Sequence, residues 1–395
     1  MDFLGGEKRN TKNKLNKGKV IKTSIIASVT LLIICLFLLY QNVSDVRNFF
    51  DVHIFRKVVQ EEKLPKIEVD TSKGINAYAY NRYISILDQN ELKLYNKSGN
   101  QEHKLDVEIS NPLFDANGKY LCVAEKGGEK IYLISNKNIV WQKEIEGNIS
   151  GINVNKNGYV SVTITGTSYK TVVQTFDSKG NDLFKIYLSS TNVIATDISN
   201  DNKYLAIAEA NFSGIIIQSN IKIISINDAK RNSDNSIKYT YLSKANDLII
   251  NIKYNNRNNL ICMYDGHIDL LKGENSTELV DLKDRNILFA DVNLENKIVE
   301  ITKNPENIKM PVQVKLVNSN NTKSVNIYEM NSSPKRIYVK GKIIAINLGT
   351  SVLFINENGS LIKKYESRRE DIQNIIISNE LAGIVCRDKI NIISL

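Results

Sequence analysis

Two short phrases, "KYLCVAE" at 119–125 and "KYLAIAE" at 203–209, differ at only two of their seven positions. Between them, "NGYVSVT" (157–163) falls into line with "NGKYLCV" (117–123) on a slide of about forty residues. Phrases of this shape, a turn residue followed by an apolar or alternating run, recur down the chain. They are "RYISILD" (82–88), "GKYLCVA" (118–124), "GYVSVTI" (158–164), "KYLAIAE" (203–209), "NLICMYD" (259–265), "NKIVEIT" (296–302), "GKIIAIN" (341–347) and "LAGIVCR" (381–387). With Tyr83, Tyr120, Tyr159, Tyr204, Leu260, Ile298, Ile343 and Ala382 as markers, the steps are 37, 39, 45, 56, 38, 45 and 39. A period that persists through so many copies marks a repeat architecture, in which each copy is one supersecondary unit unable to bury its apolar face alone.

Each unit follows one internal grammar. After the marker strand come a polar break and a second strand, such as "LKLY" (92–95), "IYLI" (131–134) or "VLFI" (352–355). A hairpin signal follows, as in "NKSGN" (96–100), "DSKGN" (177–181) and "NENGS" (356–360), and then a third strand such as "LFKIYL" (183–188) or "IVWQKEI" (139–145). Another short strand precedes each marker, as in "INVN" (152–155) and "ATDIS" (195–199). Four strands in about forty residues make one blade of a β-propeller. Helical periodicity is absent beyond residue 65, which excludes doubly wound α/β folds.

The chain ends give the blade count and the closure. The last unit stops at "KINIISL" (389–395), one strand short, while "KIEVD" (66–70) is a lone strand ahead of the first unit. The early strand is therefore expected to complete the final sheet, with Ile67–Asp70 beside Ile390–Ser394, because an open ring would leave strand edges unpaired. The expected fold is all-β, an eight-bladed propeller over 66–395, preceded by a transmembrane helix and a short neck helix. Seven blades is the alternative if the weak 287–327 unit is not a blade.

On these repeats, residues 66–395 resemble the WD40-like and PQQ-like propeller superfamily. The whole plan, a basic tail, one span and a propeller, also resembles an uncharacterised group of membrane-anchored propeller proteins from clostridia and related Gram-positive bacteria. The chain departs from the ordinary WD40 pattern in having no Gly-His…Trp-Asp pair. Only Trp141 is similar to the Trp-rich outer strands of PQQ-type propellers, so no quinone site is carried over.

Ahead of the propeller the signal changes character. Residues 1–22 hold Lys8, Arg9, Lys12, Lys14, Lys17, Lys19 and Lys22 against Asp2 and Glu7, more than half of the chain's net +9. An uncharged run from Thr23 to Val43 follows. Thr23 to Tyr40 spans about 27 Å as a helix, the one structure that satisfies its own backbone in lipid. Only Arg47, Arg56 and Lys57 follow closely, so the tail is expected in the cytoplasm and the propeller outside. A cleaved signal peptide is the competing reading, but "YQNVSDV" offers no small-x-small site, and Ile34 before Cys35 does not suit lipoprotein cleavage. The expected divisions are a tail over 1–22, a transmembrane helix over 23–43 and a neck helix over 44–65. In the neck, Val46, Phe49, Phe50, Ile54 and Val58 recur at helical spacing before Pro65 ends the run.

Residues that could carry chemistry are sparse. Cys122, Cys262 and Cys386 each sit in an apolar run without metal-ligand spacing, as expected for buried small hydrophobes. The three histidines, His53, His103 and His267, share no metal spacing either. "DANGK" (115–119) and "DSKGND" (177–182) resemble calcium loops superficially, yet Asp-x-x-Gly is what a tight hairpin needs, so Asp115 and Asp177 read as turn residues. There is no nucleophile elbow and no phosphate-cradling glycine loop. Beyond the tail the charges alternate in sign without a basic aromatic stripe, which speaks against a nucleic-acid partner.

No catalytic, cofactor-binding or metal-ligating residue is therefore named; the ligand-binding residues are unknown and no cofactor is implied. The long step of 56 holds two insertions, "ANFSGIIIQSN" (210–220) and "NDAKRNSDNS" (227–236), where a partner site would be sought first. The expected function is a single-pass, extracytoplasmic binding or assembly scaffold in a bacterial cell envelope. Its expected partners are the membrane and an envelope protein or cell-wall component. The alternatives are a propeller enzyme (hydrolase, lyase or quinone-dependent oxidoreductase) with its site in the central channel, and an extracellular ligand sensor. Two carboxylates clustered in the channel would favour the enzyme.

Overall fold

The computed structural model describes residues 17–43, 46, 49–55, 57–69, 75–244, 247–320, 323–368 and 372–395, and the chain divides into two units, 1–57 and 58–395. The tail over 1–16, Asp70 of the closing stretch and the His53 side chain lie outside the described residues.

In the first unit, helix α1 runs from Lys17 to Asn42, and its stretch Ile21–Asn42 is long and apolar enough to cross a membrane. In the neck, expected as a helix over 44–65, Val46 and Phe49 are helical, and the described residues depart from an α-helix from Phe50 on. Phe50–Ile54 forms one wide helical turn, closed by the Phe55 N–H on the Phe50 carbonyl. Buried Asp51 accepts from the Tyr40 hydroxyl at 2.8 Å and lies 2.6 Å from Lys57 Nζ. Satisfying that carboxylate outweighs the apolar spacing that suggested a continuous helix.

The second unit is an eight-bladed β-propeller. Blades 1 to 6 cover residues 76–106, 112–144, 148–188, 192–242, 249–281 and 287–330, each a four-stranded antiparallel sheet in chain order. Blade 7 covers 336–366, and blade 8 takes 374–394 plus an early strand. The weak 287–327 unit is thus a blade. All eight marker residues lie on, or one step before, the second strand of their blade.

The physical cause of the marker phrase is the turn that feeds it. Between first and second strands, Asn81, Gly118, Gly158, Asn202, Asn258, Asn296 and Gly341 hold φ between 48° and 82°. Asn and Gly are the residues that adopt this left-handed conformation at least cost. The later hairpins use the same device: Asn96, Asp177 and Asn356 each accept two backbone N–H groups with one side-chain oxygen, ahead of Gly99, Gly180 and Gly359. Asp177 is a turn residue, as expected. Asp115 is not: it belongs to the first strand of blade 2, Pro112–Asn117, and the turn is made after it by Gly118.

Core formation follows from stacking the blades. Both faces of a blade are covered, so middle strands such as Thr171–Phe176 are buried at every position. Apolar side chains collect in eight layers among the described residues, one at each blade interface. Cys122, Cys262 and Cys386 are buried within these layers. Blade 4 carries its second insertion as two short helical turns, Ile226–Ala229 and Ser233–Asn235, with Ile226 and Ala229 buried in the layer between blades 3 and 4.

The ring closes as the chain ends predicted. Strand β2 (Lys66–Glu68) pairs antiparallel with Lys389–Ser394, in register Lys66↔Asn391, Ile67↔Ile390 and Glu68↔Lys389. Ile67 is buried with Ile390, Ile392, Ala79 and Ile84 in the layer between blades 8 and 1. One element was not anticipated. Strand β1 (Val58–Gln60), read from sequence as neck helix, pairs in parallel with Leu361–Glu366 as a fifth strand on blade 7.

Candidate functional site in the central channel

The first strand of each blade lines the axis of the ring. Register aligns one residue per blade at a common level: Tyr78, Asp115, Asn153, Asp197, Lys253, Asp291, Tyr338 and Ile376. Six of them face a small residue of the second strand: Ser85, Cys122, Ser161, Ala206, Ala345 or Gly383. Polar side chains at five of these positions, together with Lys340 at the end of Arg336–Lys340, form the chemistry of the channel.

The acidic side is held by backbone. Asp115 Oδ2 accepts the Val154 N–H at 2.7 Å, and Asp197 Oδ2 accepts the Tyr254 N–H at 2.6 Å. Each carboxylate thus staples its blade to the first strand of the next. Asn153 bridges them, its Nδ2 3.4 Å from Asp115 Oδ2 and 3.2 Å from Asp197 Oδ1. Lys253 Nζ completes the Asp197 set at 3.2 Å.

The other side is basic and aromatic. Lys340 Nζ donates to the Tyr78 hydroxyl at 2.8 Å and lies 4.1 Å from the centre of its ring. Tyr78 in turn stacks on Phe114 at 5.6 Å. The two lysines differ electrostatically. Burial works against charge on Lys253, but Asp197 and Asp115 outweigh it and hold the amine above its ordinary value. Burial brings Lys340 down to about 8, with Asp115 opposing and Lys253 adding to the fall. Burial also pushes the Asp115 carboxyl up, despite Lys340, Lys253 and the Val154 N–H.

These groups open into a cavity of about 590 Å³ at the mouth of the channel, where Tyr78, Asp115, Lys253 and Lys340 meet a rim of asparagines. The rim is stitched between blades. Asn155 and Asn157 donate to Asn202 at 2.6 and 3.0 Å, Asn200 donates to the Asn255 carbonyl at 3.0 Å, and Asn256 donates to Glu295 at 2.8 Å. Apolar wall comes from Ile261, Val292 and Val339.

Sequence reasoning named none of these channel residues as a site. The signal was a charge or phenol inside the short strand before each marker, as in Asp197 of "ATDIS", and it becomes legible only when the registers are aligned. Of the residues it did weigh, Asp115 lies in the channel, though it was read as a turn aspartate, and the others lie elsewhere. His103 is on the outer strand of blade 1, and His267 stacks on Tyr264 at 4.4 Å. Among the described residues, no group of three His, Cys, Asp or Glu side chains is placed to hold a metal. The first insertion of blade 4 joins Tyr204–Asn211 to Gln218–Ser225, and its tip presents Phe212, Ile215 and Ile216 to solvent, Ile215 fully exposed.

A family profile described as "Family of unknown function (DUF5711)" matches residues 55–395. Among curated proteins none matches. Many solved structures are similar in fold. The C-terminal WD40 domain of Sif2 aligns at 10% identity over 84% of this chain and 98% of that one, with a TM-score of 0.57. Sqt1 of Chaetomium thermophilum, bound to the N-terminus of ribosomal protein L10, aligns at 10% identity over 84% and 100%, with a TM-score of 0.52. Dihydro-heme d1 dehydrogenase NirN aligns at 8% identity over 85% and 76%, with a TM-score of 0.51. At such identities the likeness concerns the fold alone, and it spans a protein bound to a ribosomal-protein segment and a dehydrogenase alike.

Proposed function

The chain belongs to the DUF5711 family, and we propose that it is a membrane-anchored scaffold that presents a rigid propeller to a protein partner. In this reading α1 is an uncleaved single-pass anchor with its N-terminus in the cytoplasm. The propeller lies outside, in a bacterial envelope, where it meets an envelope protein. The observation that carries the binding role is the blade 4 tip, where Phe212, Ile215 and Ile216 stand in water on a hairpin whose strands are fixed in the ring. Apolar side chains clustered on a loop of a rigid scaffold are what a protein interface buries at its centre. The extended hairpin supplies the surface, and the stapled blades supply its fixed position.

Capture from envelope extracts tests this reading. Full-length protein in detergent is expected to retain an envelope protein, and the triple variant Phe212→Ser, Ile215→Ser, Ile216→Ser to lose it with an unchanged melting temperature, since exposed loop substitutions shift stability by about 0.5 kcal/mol or less. Equal retention by both proteins would reject the tip as the interface. Protease shaving of intact cells tests the anchor: the propeller should be cut away and the tail protected.

The enzyme reading has one observation in its favour, two carboxylates in the channel. Both accept backbone N–H groups of the next blade and share one carboxamide. That arrangement fixes the strands, and it gives neither carboxylate a nucleophile to activate.

A further inference from the structure

Of the charged residues lining the cavity, Lys340 and Asp115 are the two on first strands that make no direct ion pair among the described residues, while Lys156, Glu295 and Glu380 stand on the turns of the rim. Lys253 and Asp197 are paired at 3.2 Å, but among the described residues Lys340 makes no ion pair. Its ammonium has three N–H donors, of which one goes to the Tyr78 hydroxyl. Asp115 uses Oδ2 for Val154 and Asn153, and among the described residues its Oδ1 receives no hydrogen bond. Both groups line the same cavity together with Tyr78, whose ring stacks on Phe114. Asp115 and Lys340 attract one another through space, and a ligand carrying both charges replaces that distant attraction with two direct charge-assisted contacts.

We propose that the channel mouth binds a small zwitterion of the amino-acid type, its carboxylate on Lys340 and its ammonium on Asp115 Oδ1. A simple anion would satisfy Lys340 and crowd Asp115; a simple cation would do the reverse. A ligand carrying both charges satisfies the two groups together. The asparagine rim offers polar contacts to the rest of its backbone. The cavity of about 590 Å³ accommodates a free amino acid or a dipeptide. Electrostatic frustration points the same way, because burial disfavours the charged forms of both Lys340 and Asp115. This site is separate from the blade 4 tip, so either assignment can fail alone.

The test is calorimetry and thermal shift on the full-length protein in detergent, with the twenty standard L-amino acids and the dipeptide Ala-Leu as probes. At least one probe is expected to bind at one per chain, and the ranking of free amino acids against the dipeptide identifies the source. The N-acetyl and carboxamide derivatives of the best probe should each bind at least about tenfold more weakly, the loss of one charge-assisted hydrogen bond. Lys340→Met and Asp115→Asn should each weaken it by a similar factor. Asn at 115 keeps an oxygen for the Val154 N–H, and circular dichroism with the melting curve confirms that both variants fold. The Phe212, Ile215 and Ile216 variant should bind as wild type does. No response to any probe at about 10 mM, equal binding of the blocked derivatives, or full binding by both variants would overturn the proposal.

Discussion

Gly99 sits at φ +78° in a hairpin of blade 1, and a Cβ added there would come 2.8 Å from the Lys66 carbonyl oxygen in β2. Both the dihedral and the neighbour are backbone constraints that a side chain cannot relax. Gly99→Ala is predicted to cost about 1–3 kcal/mol, read as a fall in melting temperature, whereas Ala at exposed Gly127, which meets nothing within 4 Å, carries only the dihedral cost. Asp291 makes a pH prediction. Burial raises its carboxyl from 3.8 to about 6, against the Asn293 N–H that it accepts. Between those values the folded chain holds a proton that the unfolded chain releases, so this group's contribution to stability falls as pH rises from about 4 to 6. Asp291→Asn is expected to stabilise the protein by about 1–2 kcal/mol above pH 6 and to change little below pH 4, as urea titrations across that range would show. At this scale the turns were legible, because Asn and Gly announce a positive φ. Channel residues were not. Tyr78, Asp115, Lys253 and Lys340 are separated by tens of residues, and nothing local distinguishes Asp115 in "FDANGK" from a turn aspartate.

Strands are where the ring is fastened. β2 contributes three residues to blade 8, and Ile67, only 4% exposed, is its anchor in the apolar layer with Ile390 and Ile392. Ile67→Ala is predicted to cost about 2–4 kcal/mol, the range for a buried aliphatic truncation. Between β1 and β2, Glu61 lies 2.7 Å from Lys389 and accepts from Ser367 at 2.6 Å, tying the entering chain to blades 7 and 8. Burial opposes its ionisation, but Lys389 and Ser367 prevail and hold the carboxyl below its ordinary 4.5. A depressed carboxylate stabilises the fold above its unfolded pKa and loses that contribution as pH falls through the folded one. Acid melting curves of Glu61→Gln should therefore be flatter below pH 4.5 than those of wild type. The lone strand 66–70 announced β2, since the last unit ended one strand short. β1 escaped notice because Val58 completes a helical spacing with Phe50 and Ile54. Three residues carry too little pattern to reveal a pairing with Leu361–Glu366, more than three hundred positions away.

For the whole molecule, closure determines everything else. Eight sheets stack through eight apolar layers, and the layer between blades 8 and 1 exists only if both ends of the propeller chain meet. The channel charges face one another because the ring is shut; in an open array Asp115 and Lys340 would belong to distant blades. The most direct measurement is a disulfide trap across that seam. Glu68 and Lys389 are register partners in adjacent antiparallel strands, where Cα separations of about 4.5–5.5 Å suit a disulfide. In a Cys35→Ser background, Glu68→Cys with Lys389→Cys is predicted to form an intramolecular bond under mild oxidation and to raise the melting temperature reversibly with reductant. Failure to form that bond in folded protein, or bonds only between molecules, would contradict the closed eight-bladed ring.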